Sequence, residues 1–167
     1  MLDLNHYKLL KFVNTTRDFD YYYQLVSDEK VMEMITEKPF DFDEAREDFK
    51  SLLKVNSISP NFGTYKIIEK ETGLFVGLAK LEITTPKADV AELGYIIIPE
   101  FWGKGIGSII AERLIEYAKS LKNSQGLFAI IDPSNLASRK ILIKNGFQFR
   151  EFKEFDGLPG EVLELEF

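Results

Sequence analysis

The sequence predicts an α+β fold in which a mostly antiparallel sheet is flanked by helices. Three strand-like segments between residues 62 and 98 are joined by short turns, and short turns connect antiparallel neighbours. An apolar, β-branched segment then ends at Pro99 and leads through closely spaced glycines into a helical pattern. Two alternating segments at the end of the chain are typical of a hairpin. The predicted order is helices, a meander, one strand–helix–strand crossover and the hairpin.

The first sixty residues predict one strand and three helices. Residues 6–13 alternate loosely between apolar and polar side chains, as a strand does. Ser, Thr, Asp and Asn are the preferred N-caps, and Pro39 is a stop signal between the second and third helices. The predicted helices are residues 17–26 after Thr15 or Thr16, a short helix from Asp28 through Ile35, and a third that begins at Asp41 or Asp43.

The middle of the chain changes to a period of two. Residues 62–69 and 74–84 predict two strands joined by a hairpin turn at residues 70–73, and residues 90–98 predict a third strand after a turn at residues 86–89. All three strands are joined by connections of a few residues. This pattern indicates an antiparallel meander.

Beyond the glycines, apolar residues recur at helical spacing, so a helix is predicted there. The residues on its apolar face are Ile106, Ile110, Leu114, Tyr117, Ala118 and Leu121. Residues 127–131 form a short apolar run of the kind that a buried strand shows. A helix follows from Asn135 to about Lys144, with Asn145 and Gly146 as its C-cap. The terminal hairpin is predicted from residues 147–155 and 162–167, with a loop at residues 156–160.

Composition limits the classes of function. With 167 residues the chain suits one domain, residues 1–167. The net charge of −6 argues against a nucleic-acid partner, which would need clustered Lys and Arg. No apolar run approaches the roughly 20 residues that span a bilayer, so no membrane association is expected. The absence of cysteine excludes disulfides and thiolate metal sites, and a single histidine, His6, makes a metal site unexpected. We expect a cytoplasmic protein.

The glycine turn predicts a phosphate site. Gly103, Gly105 and Gly107 let the backbone approach an anion closely, and the first-turn N–H groups of the following helix lack helical partners. A Walker loop is excluded, because there the lysine follows the last glycine and precedes a hydroxyl. A dinucleotide fingerprint fits poorly, since the third glycine comes one position early and the preceding strand ends a meander.

Two motifs resemble the GNAT superfamily of acetyl-CoA-dependent N-acetyltransferases. Trp102-Gly-Lys-Gly105-Ile-Gly107 is similar to the pyrophosphate motif Gln/Arg-x-x-Gly-x-Gly/Ala, except that Trp102 replaces the usual polar residue. Asn135-Leu-Ala-Ser138, followed by Lys144-Asn-Gly-Phe147, resembles the second signature of the family. The Phe-Trp-Gly-Lys-Gly sequence and the segment Leu25–Met32 look like the RimJ/RimL branch. The resemblance covers nearly the whole chain.

The resemblance implies a mixed, partly splayed sheet that binds acetyl-CoA between strands 90–98 and 127–131. It implies that backbone groups of Ile96 and Ile98 pair with the pantetheine arm. It also implies that Asn135 and Ser138 contact the cofactor from the other side. The pyrophosphate would be held by the backbone amides of Gly103, Lys104, Gly105, Ile106, Gly107 and Ser108.

Glu92 is the candidate catalytic residue. By resemblance it occupies the strand position that carries the general base in several GNAT enzymes, and a base must remove a proton from an ammonium group before acetyl transfer. The alternative is an outward-facing sheet glutamate, and strand alternation does not decide between the two. The tyrosine that commonly donates a proton to the CoA thiolate has no counterpart, because Leu142 stands there.

The predicted function is direct transfer of acetyl from acetyl-CoA to a primary amine. The acceptor is either a protein N-terminus or a small-molecule amine, and the sequence does not distinguish them. The alternative is a CoA-binding sensor or partner module that has lost catalysis, which the absent tyrosine motivates. We expect a monomer or a homodimer.

Overall fold

The computed structural model describes residues 2–167, and in them it confirms the predicted α+β class. One eight-stranded sheet has the order β1-β2-β3-β4-β5-β6-β8-β7. The strands are β1 Leu2–Leu4, β2 Tyr7–Lys11, β3 Gly63–Glu69, β4 Phe75–Glu82, β5 Val90–Ile97, β6 Gly126–Ile131, β7 Gln148–Phe155 and β8 Leu158–Glu166. The helices are α1 Thr16–Val26, α2 Glu29–Met32, α3 Phe42–Asn56, α4 Ile106–Ser120 and α5 Leu136–Lys144, with a 3₁₀ turn at Pro99–Phe101.

The sheet opens between β5 and β6. Every other pair of neighbouring strands is antiparallel, whereas β5 and β6 are parallel and pair only over Val90–Glu92 with Gly126–Phe128. Beyond Glu92 the two strands have no common register. The space between Leu93–Ile97 and the end of β6 is called here the β5–β6 gap. It is the splay that the sequence resemblance implied.

Apolar clusters fill both faces of the sheet. On one face α4 contributes Ile106, Ile110 and Leu114, which pack against the inward residues of β3 to β6. On the other face α1, α2 and α3 pack through Leu25, Met32, Phe49 and other apolar residues. Because successive strand residues point to opposite faces, each strand of the sheet centre supplies both clusters.

An ion pair anchors α1 to the sheet. Asp18 lies in the first turn of α1, where a negative charge is favourable to the helix dipole, and it is 2% exposed. Its carboxylate forms an ion pair with the ammonium of Lys66 on β3. It also accepts a hydrogen bond from the backbone N–H of Val13, at 2.8 Å. Since a buried charge is costly unless it is paired, this arrangement fixes how α1 lies across the sheet.

The predicted caps are confirmed. Thr15, Asp28 and Asn135 accept hydrogen bonds from the N3 amides of their helices. Asp41 forms a capping box with Glu44, in which each side chain bonds to the other residue's backbone N–H. Gly146 closes α5 with a φ of 91°. Each helix end depends on a capping residue that bonds to backbone groups a few residues away. The sequence therefore predicts the helix ends directly.

Three expectations need correction. β1 was not predicted, because it has only three residues and its turn at Asn5 lacks glycine. The second helix ends at Met32, before Ile35. The terminal turn is the two-residue Asp156-Gly157, both residues with positive φ, and residues 158–160 belong to β8. Pro159 is tolerated there because β8 pairs with β6 only from Glu161 onward.

Candidate active site

The glycine turn links the end of β5 to the start of α4. Gly103 and Gly105 have φ values of 73° and 76°, a left-handed conformation that favours glycine. Gly105 is the N-cap of α4 and supplies no side-chain cap. Apart from the neighbouring residues in the chain, a Cβ atom at either glycine would meet no atom of residues 2–167 within 4 Å. The space above both glycines is therefore open to a ligand.

Six consecutive backbone amides of this turn are free. None of the N–H groups from Gly103 to Ser108 donates a hydrogen bond to another of residues 2–167, and the first helical bond of α4 is Ile109 N to Gly105 O at 3.2 Å. The positive end of the helix dipole points to the same place. Free amides at a helix N-terminus bind anions, so the phosphate site predicted from the sequence has the geometry it requires.

Tyr95 packs beneath the turn. A Cβ atom on Gly107 would lie 2.9 Å from the Tyr95 ring, so this third glycine permits close contact between α4 and β5. The Tyr95 hydroxyl is buried and makes no hydrogen bond of normal geometry within residues 2–167. Burial raises the pKa of this hydroxyl, and Ser138 on α5 is near enough to oppose the shift in part. Buried polar groups are normally paired, so this hydroxyl is a candidate ligand contact.

The backbone groups that face the gap differ from those predicted. Ile98 N donates to Val76 O on β4 at 2.9 Å, so the backbone N–H and C=O groups of Ile98 point toward β4. Because this direction alternates along a strand, the backbone groups of Ile96 also point toward β4. Residues of the other parity face β6, as the bond from Gln125 N to Asp89 O at 2.7 Å shows. The pairing expected of Ile96 and Ile98 is therefore not supported. Tyr95 and its neighbours two positions away in β5 expose backbone groups to the gap instead.

Two side chains support the turn from outside. The Trp102 indole N–H donates to Ile97 O at 2.7 Å, although the side chain is half exposed and does not lie under the turn. The Lys104 ammonium lies 4.8 Å from the centre of the Phe101 ring. Lys104 therefore belongs to the site through its backbone amide. Its side chain contacts the preceding 3₁₀ turn.

The start of α5 borders the same region. Asn135 Oδ1 accepts from Ser138 N at 3.1 Å, so Asn135 is the N-cap of α5. The Ser138 side chain is half buried and lies beside Tyr95. Leu142, one turn further along α5, is 1% exposed and belongs to the apolar cluster under α4. The position at which the sequence resemblance led us to look for a proton-donating tyrosine is therefore a core position here.

Glu92 is part of a charged cluster on the face of α1 to α3. Lys80 Nζ lies 2.9 Å from Glu92 Oε1 and 3.4 Å from Glu82 Oε2. Burial alone would lower the pKa of Lys80, but the attraction of Glu92 and Glu82 outweighs it and the pKa is raised. The buried hydroxyl of Thr64 also donates to Glu82. Within residues 2–167 Glu92 forms an ion pair with Lys80 and with no other residue, so one edge of its carboxylate is free there.

A cavity of about 280 Å³ lies beside Glu92. It is situated where β5 and β6 stop pairing and is bounded on its far side by the end of α3. Its lining is mostly apolar, with two carboxylates and one hydroxyl: Val55, Ile58, Glu82, Ile83, Thr84, Val90, Glu92 and Phe128. Apolar pockets with a few convergent polar groups are typical of small-molecule sites.

The sequence did not indicate Lys80 or Glu82 as site residues, and it offered Tyr95 only as a possible proton donor to the CoA thiolate. The pairing of β4 with β5 would have indicated the first two residues, because it places Lys80 opposite Gly94 and Glu82 opposite Glu92. That register depends on the exact turn between the strands, which a single sequence leaves open. A larger concavity of about 400 Å³ lies on the outer face of α5, but one helix alone forms it and it contains none of the predicted residues.

Two other kinds of feature are absent from residues 2–167. No group of three or more His, Asp or Glu side chains among them is arranged to hold a metal ion. Within the same residues, no helix has both the length and the hydropathy to cross a bilayer.

Comparison with known proteins gives concordant results. Residues 9–148 match a family model described as an acetyltransferase (GNAT) domain. An uncharacterized N-acetyltransferase, p20 of Bacillus licheniformis, is 30% identical over 150 residues, which cover 89% of this chain and 84% of that protein.

Solved structures share the fold at low identity. Spermidine N-acetyltransferase from Vibrio cholerae, in complex with CoA and spermine, superposes with a TM-score of 0.75 at 20% identity, covering 97% of this chain and 95% of that one. The ribosomal alpha-N-protein acetyltransferase RimL, in complex with coenzyme A, has a TM-score of 0.74 at 16% identity, with 96% and 93% covered.

Proposed function

Because this chain belongs to the GNAT acetyltransferase family, we propose that it transfers acetyl from acetyl-CoA to a primary amine. The observation that carries the proposal is the alignment of three features along β5. Free amides lie at one end, an unpaired strand edge follows, and Glu92 with its cavity lies at the other end. We place the chain in the RimJ/RimL-like branch and keep residues 1–167 as one acetyltransferase domain. The cytoplasmic location stays a prediction.

The residues of the gap fit acetyl-CoA. The amides of Gly103 to Ser108 would hold the pyrophosphate, and backbone groups of Tyr95 and Ile97 would pair with the pantetheine arm. The Tyr95 hydroxyl and the Asn135 and Ser138 side chains would complete the contacts on the α4–α5 side. From Ile97 to Glu92 an extended strand spans about 17 Å, which suits an arm that runs from a phosphate to a reacting centre. The bound cosubstrate would supply an acetyl thioester.

Glu92 is the proposed general base. An aliphatic ammonium has a pKa near 10, so its proton must be removed before the nitrogen can attack a thioester carbon. Glu92 borders both the gap and the cavity and can accept this proton directly or through water. Lys80 holds the other side of the carboxylate and keeps it oriented. Attack forms the C–N bond and breaks the C–S bond, and the departing thiolate takes a proton from Tyr95 or water.

The acceptor enters from the face of α1 to α3. Lys80, Glu82 and Glu92 carry a net charge of −1 together, which favours a cationic amine in an otherwise apolar cavity. The volume of about 280 Å³ accommodates a small amine or the first residues of a peptide. Both acceptor classes named from the sequence therefore stay within the proposal.

A thiol-release assay tests the activity and the base together. With acetyl-CoA and a panel of amines and N-terminal peptides, we expect turnover on at least one acceptor. Glu92→Gln should lower kcat by about 100-fold or more and change the pH dependence of kcat, because general-base catalysis contributes at least that much. The Kd for CoA should stay within about threefold, since Glu92 is remote from the free amides.

The control is Glu116→Gln, which removes one negative charge from an exposed ion pair on α4. It should leave kcat unchanged. If CoA binds tightly and no acceptor is acetylated, the chain is the CoA-binding module that the sequence left as the alternative. If Glu92→Gln retains the full rate at every pH, Glu92 is not the base.

A further inference from the structure

Most of the surface of the cavity beside Glu92 is apolar. Phe128 of β6 is directly opposite Glu92 in the β5–β6 pairing, so its side chain lies on the same face of the sheet as the proposed base. Five of the eight lining residues carry apolar side chains: Val55, Ile58, Ile83, Val90 and Phe128. An acceptor that reaches Glu92 therefore places most of its own surface against apolar groups.

The polar side chains of the cavity are largely engaged. Glu82 accepts a hydrogen bond from Thr64 through Oε1, and its Oε2 lies 3.4 Å from Lys80 Nζ. Glu92 Oε1 lies 2.9 Å from the same ammonium. The third polar lining residue, Thr84, is exposed to solvent. Among the lining side chains, the free edge of Glu92 is thus the polar group that an acceptor meets inside the cavity.

The charge of this cluster matches one ammonium group. Lys80, Glu82 and Glu92 together carry a net charge of −1. Burial alone would lower the pKa of Lys80, but the two carboxylates raise it above its ordinary value, so this ammonium stays charged at neutral pH. One cationic group beside Glu92 neutralises the cluster. A second cation, or a carboxylate on the acceptor, leaves an unpaired charge among apolar side chains, which is unfavourable.

The wall of the cavity at the end of α3 is fixed. Lys11 Nζ donates to Asn56 O at 3.1 Å, and Asn56 Oδ1 accepts from Thr64 N at 2.7 Å. Val55 and Ile58 lie on either side of Asn56 in the chain, so these bonds hold their backbone against the sheet. The volume of about 280 Å³ is therefore a limit. At roughly 30 Å³ for each water-sized group, it holds about nine non-hydrogen atoms.

A peptide N-terminus suits this cavity less well than a simple amine. Each peptide unit that enters brings an N–H and a C=O group, and both need hydrogen-bond partners when they are buried. The lining side chains offer the free edge of Glu92, which the reacting amine itself occupies. The apolar lining therefore favours an acceptor without further polar groups.

We propose that the acceptor is a small primary monoamine with an apolar body, alkyl or arylalkyl, and not a polyamine, an amino acid or a peptide. This assignment rests on the proposed acetyl transfer and narrows its acceptor. The ammonium group lies against the free edge of Glu92, and the body lies among Val55, Ile58 and Phe128. The ammonium proton passes to Glu92 and a C–N bond replaces the C–S bond, so the amide product and the cluster are both neutral.

Matched amines test the assignment in the thiol-release assay with acetyl-CoA. Hexylamine and the diamine cadaverine have equal length, but cadaverine carries a second ammonium group. Phenethylamine and phenylalanine differ by one carboxylate. For wild type we expect kcat/KM to be at least about tenfold higher for hexylamine than for cadaverine, and likewise for phenethylamine over phenylalanine, because the added charge is unpaired in the cavity. A pentapeptide with a free amino terminus should be at least about tenfold poorer than hexylamine.

A charge added to the lining tests the cause of this preference. Val55→Glu places a third carboxylate in the cavity, which can pair with a second ammonium group, so the preference for hexylamine over cadaverine should fall at least about tenfold. Val55→Gln has nearly the same shape without the charge, and it should keep the wild-type preference within about threefold. Circular dichroism checks that both variants are folded, and Ile58→Glu replaces Val55→Glu if the latter does not fold.

Each result decides the assignment. If wild type acetylates cadaverine, phenylalanine or the peptide as efficiently as the apolar monoamines, the assignment is wrong and the acetyl transfer stands. Equal preferences in Val55→Glu and Val55→Gln would show that the lining does not select by charge, which also overturns it. Absence of turnover on every probe overturns the acetyl transfer together with the assignment.

Discussion

Gly105 allows two effects of a side chain to be measured separately. Its φ of 76° makes any L-residue strained there, and its missing Cβ leaves open space above the free amides. Gly73, in the β3–β4 turn, has a φ of 73° and the same open space. Gly105→Ala and Gly73→Ala should each lower the free energy of unfolding by about 1–2 kcal/mol, because the left-handed conformation costs that much with a Cβ.

Only Gly105→Ala should also weaken CoA binding, by about tenfold or more. Apart from the two neighbours in the chain, no atom of residues 2–167 lies within 4 Å of the new Cβ, so a loss of affinity beyond that of Gly73→Ala must come from the ligand. Isothermal titration calorimetry with CoA and urea unfolding measure the two effects. Equal affinity in both variants would contradict an anion site at this turn.

At the residue scale, sequence reasoning succeeded where a side chain acts on its own backbone. The caps Thr15, Asp28 and Asp41 were predicted because the bonded amide lies a few residues away. Lys80 was missed because its partners, Glu82 and Glu92, are brought together by strand register. The backbone groups of Ile96 and Ile98 face β4 and not the β5–β6 gap. The alternation of side chains in the sequence does not show which of the two adjacent strands the backbone groups of a residue face.

At the element scale, β4 and β5 cooperate through Lys80. The ammonium joins Glu92 to Glu82 across the two strands, so it fixes the carboxylate that we propose as the base. Lys80→Met should lower kcat about tenfold, leave KM for acetyl-CoA within about threefold and alter the pH dependence of kcat, because Glu92 loses the cation that pairs with it. Lys80→Arg should restore most of the rate.

Steady-state kinetics over pH 6–10 and a thermal melt distinguish this positioning role from a structural one. A variant that only destabilises the fold would lose activity in parallel with its melting temperature and keep the wild-type pH profile. The same profile for Lys80→Met and wild type would exclude Lys80 from positioning Glu92.

The elements themselves were largely predictable. Long segments with a clear period, such as α3, α4 and the meander, were found within one or two residues of their bounds. Errors fell on short elements, where few residues carry the signal. Pro159 and Gly160 predict a loop over residues 158–160, yet Gly160 lies in β8, where a Cβ would be 2.6 Å from the Phe155 ring.

For the molecule as a whole, the sequence does not encode the β5–β6 gap in any local pattern. Where the pairing stops depends on the combined twist of eight strands and on how α4 and α5 pack beneath them. The resemblance to a family provided this feature, and the motif spacing alone provided the anion site. Several aromatic residues in the two apolar clusters are tyrosines, which are ionisable, so their burial affects the stability of the whole molecule.

Tyrosine burial predicts a loss of stability at alkaline pH. Burial raises the pKa of Tyr22, which also donates to Asp48, and burial raises the pKa of Tyr65, which donates to Asn61 O at 2.9 Å. In the unfolded chain both phenols lose protons near pH 10, while the folded protein keeps them. Above pH 10 the unfolded state therefore binds fewer protons, so the free energy of unfolding falls as the pH rises.

With two strongly shifted groups, the expected decline is about 2.7 kcal/mol per pH unit above pH 10, with little change between pH 8 and 9.5. Lys80, whose pKa is also raised, adds to the decline above its ordinary value. Urea unfolding from pH 8 to 11.5 measures the curve. Tyr65→Phe and Tyr22→Phe should each reduce the alkaline slope by about 1.4 kcal/mol per pH unit, although each lowers stability at pH 8 by a lost hydrogen bond. An alkaline slope that neither substitution changes would show that other groups control the stability, since a phenylalanine has no proton to lose.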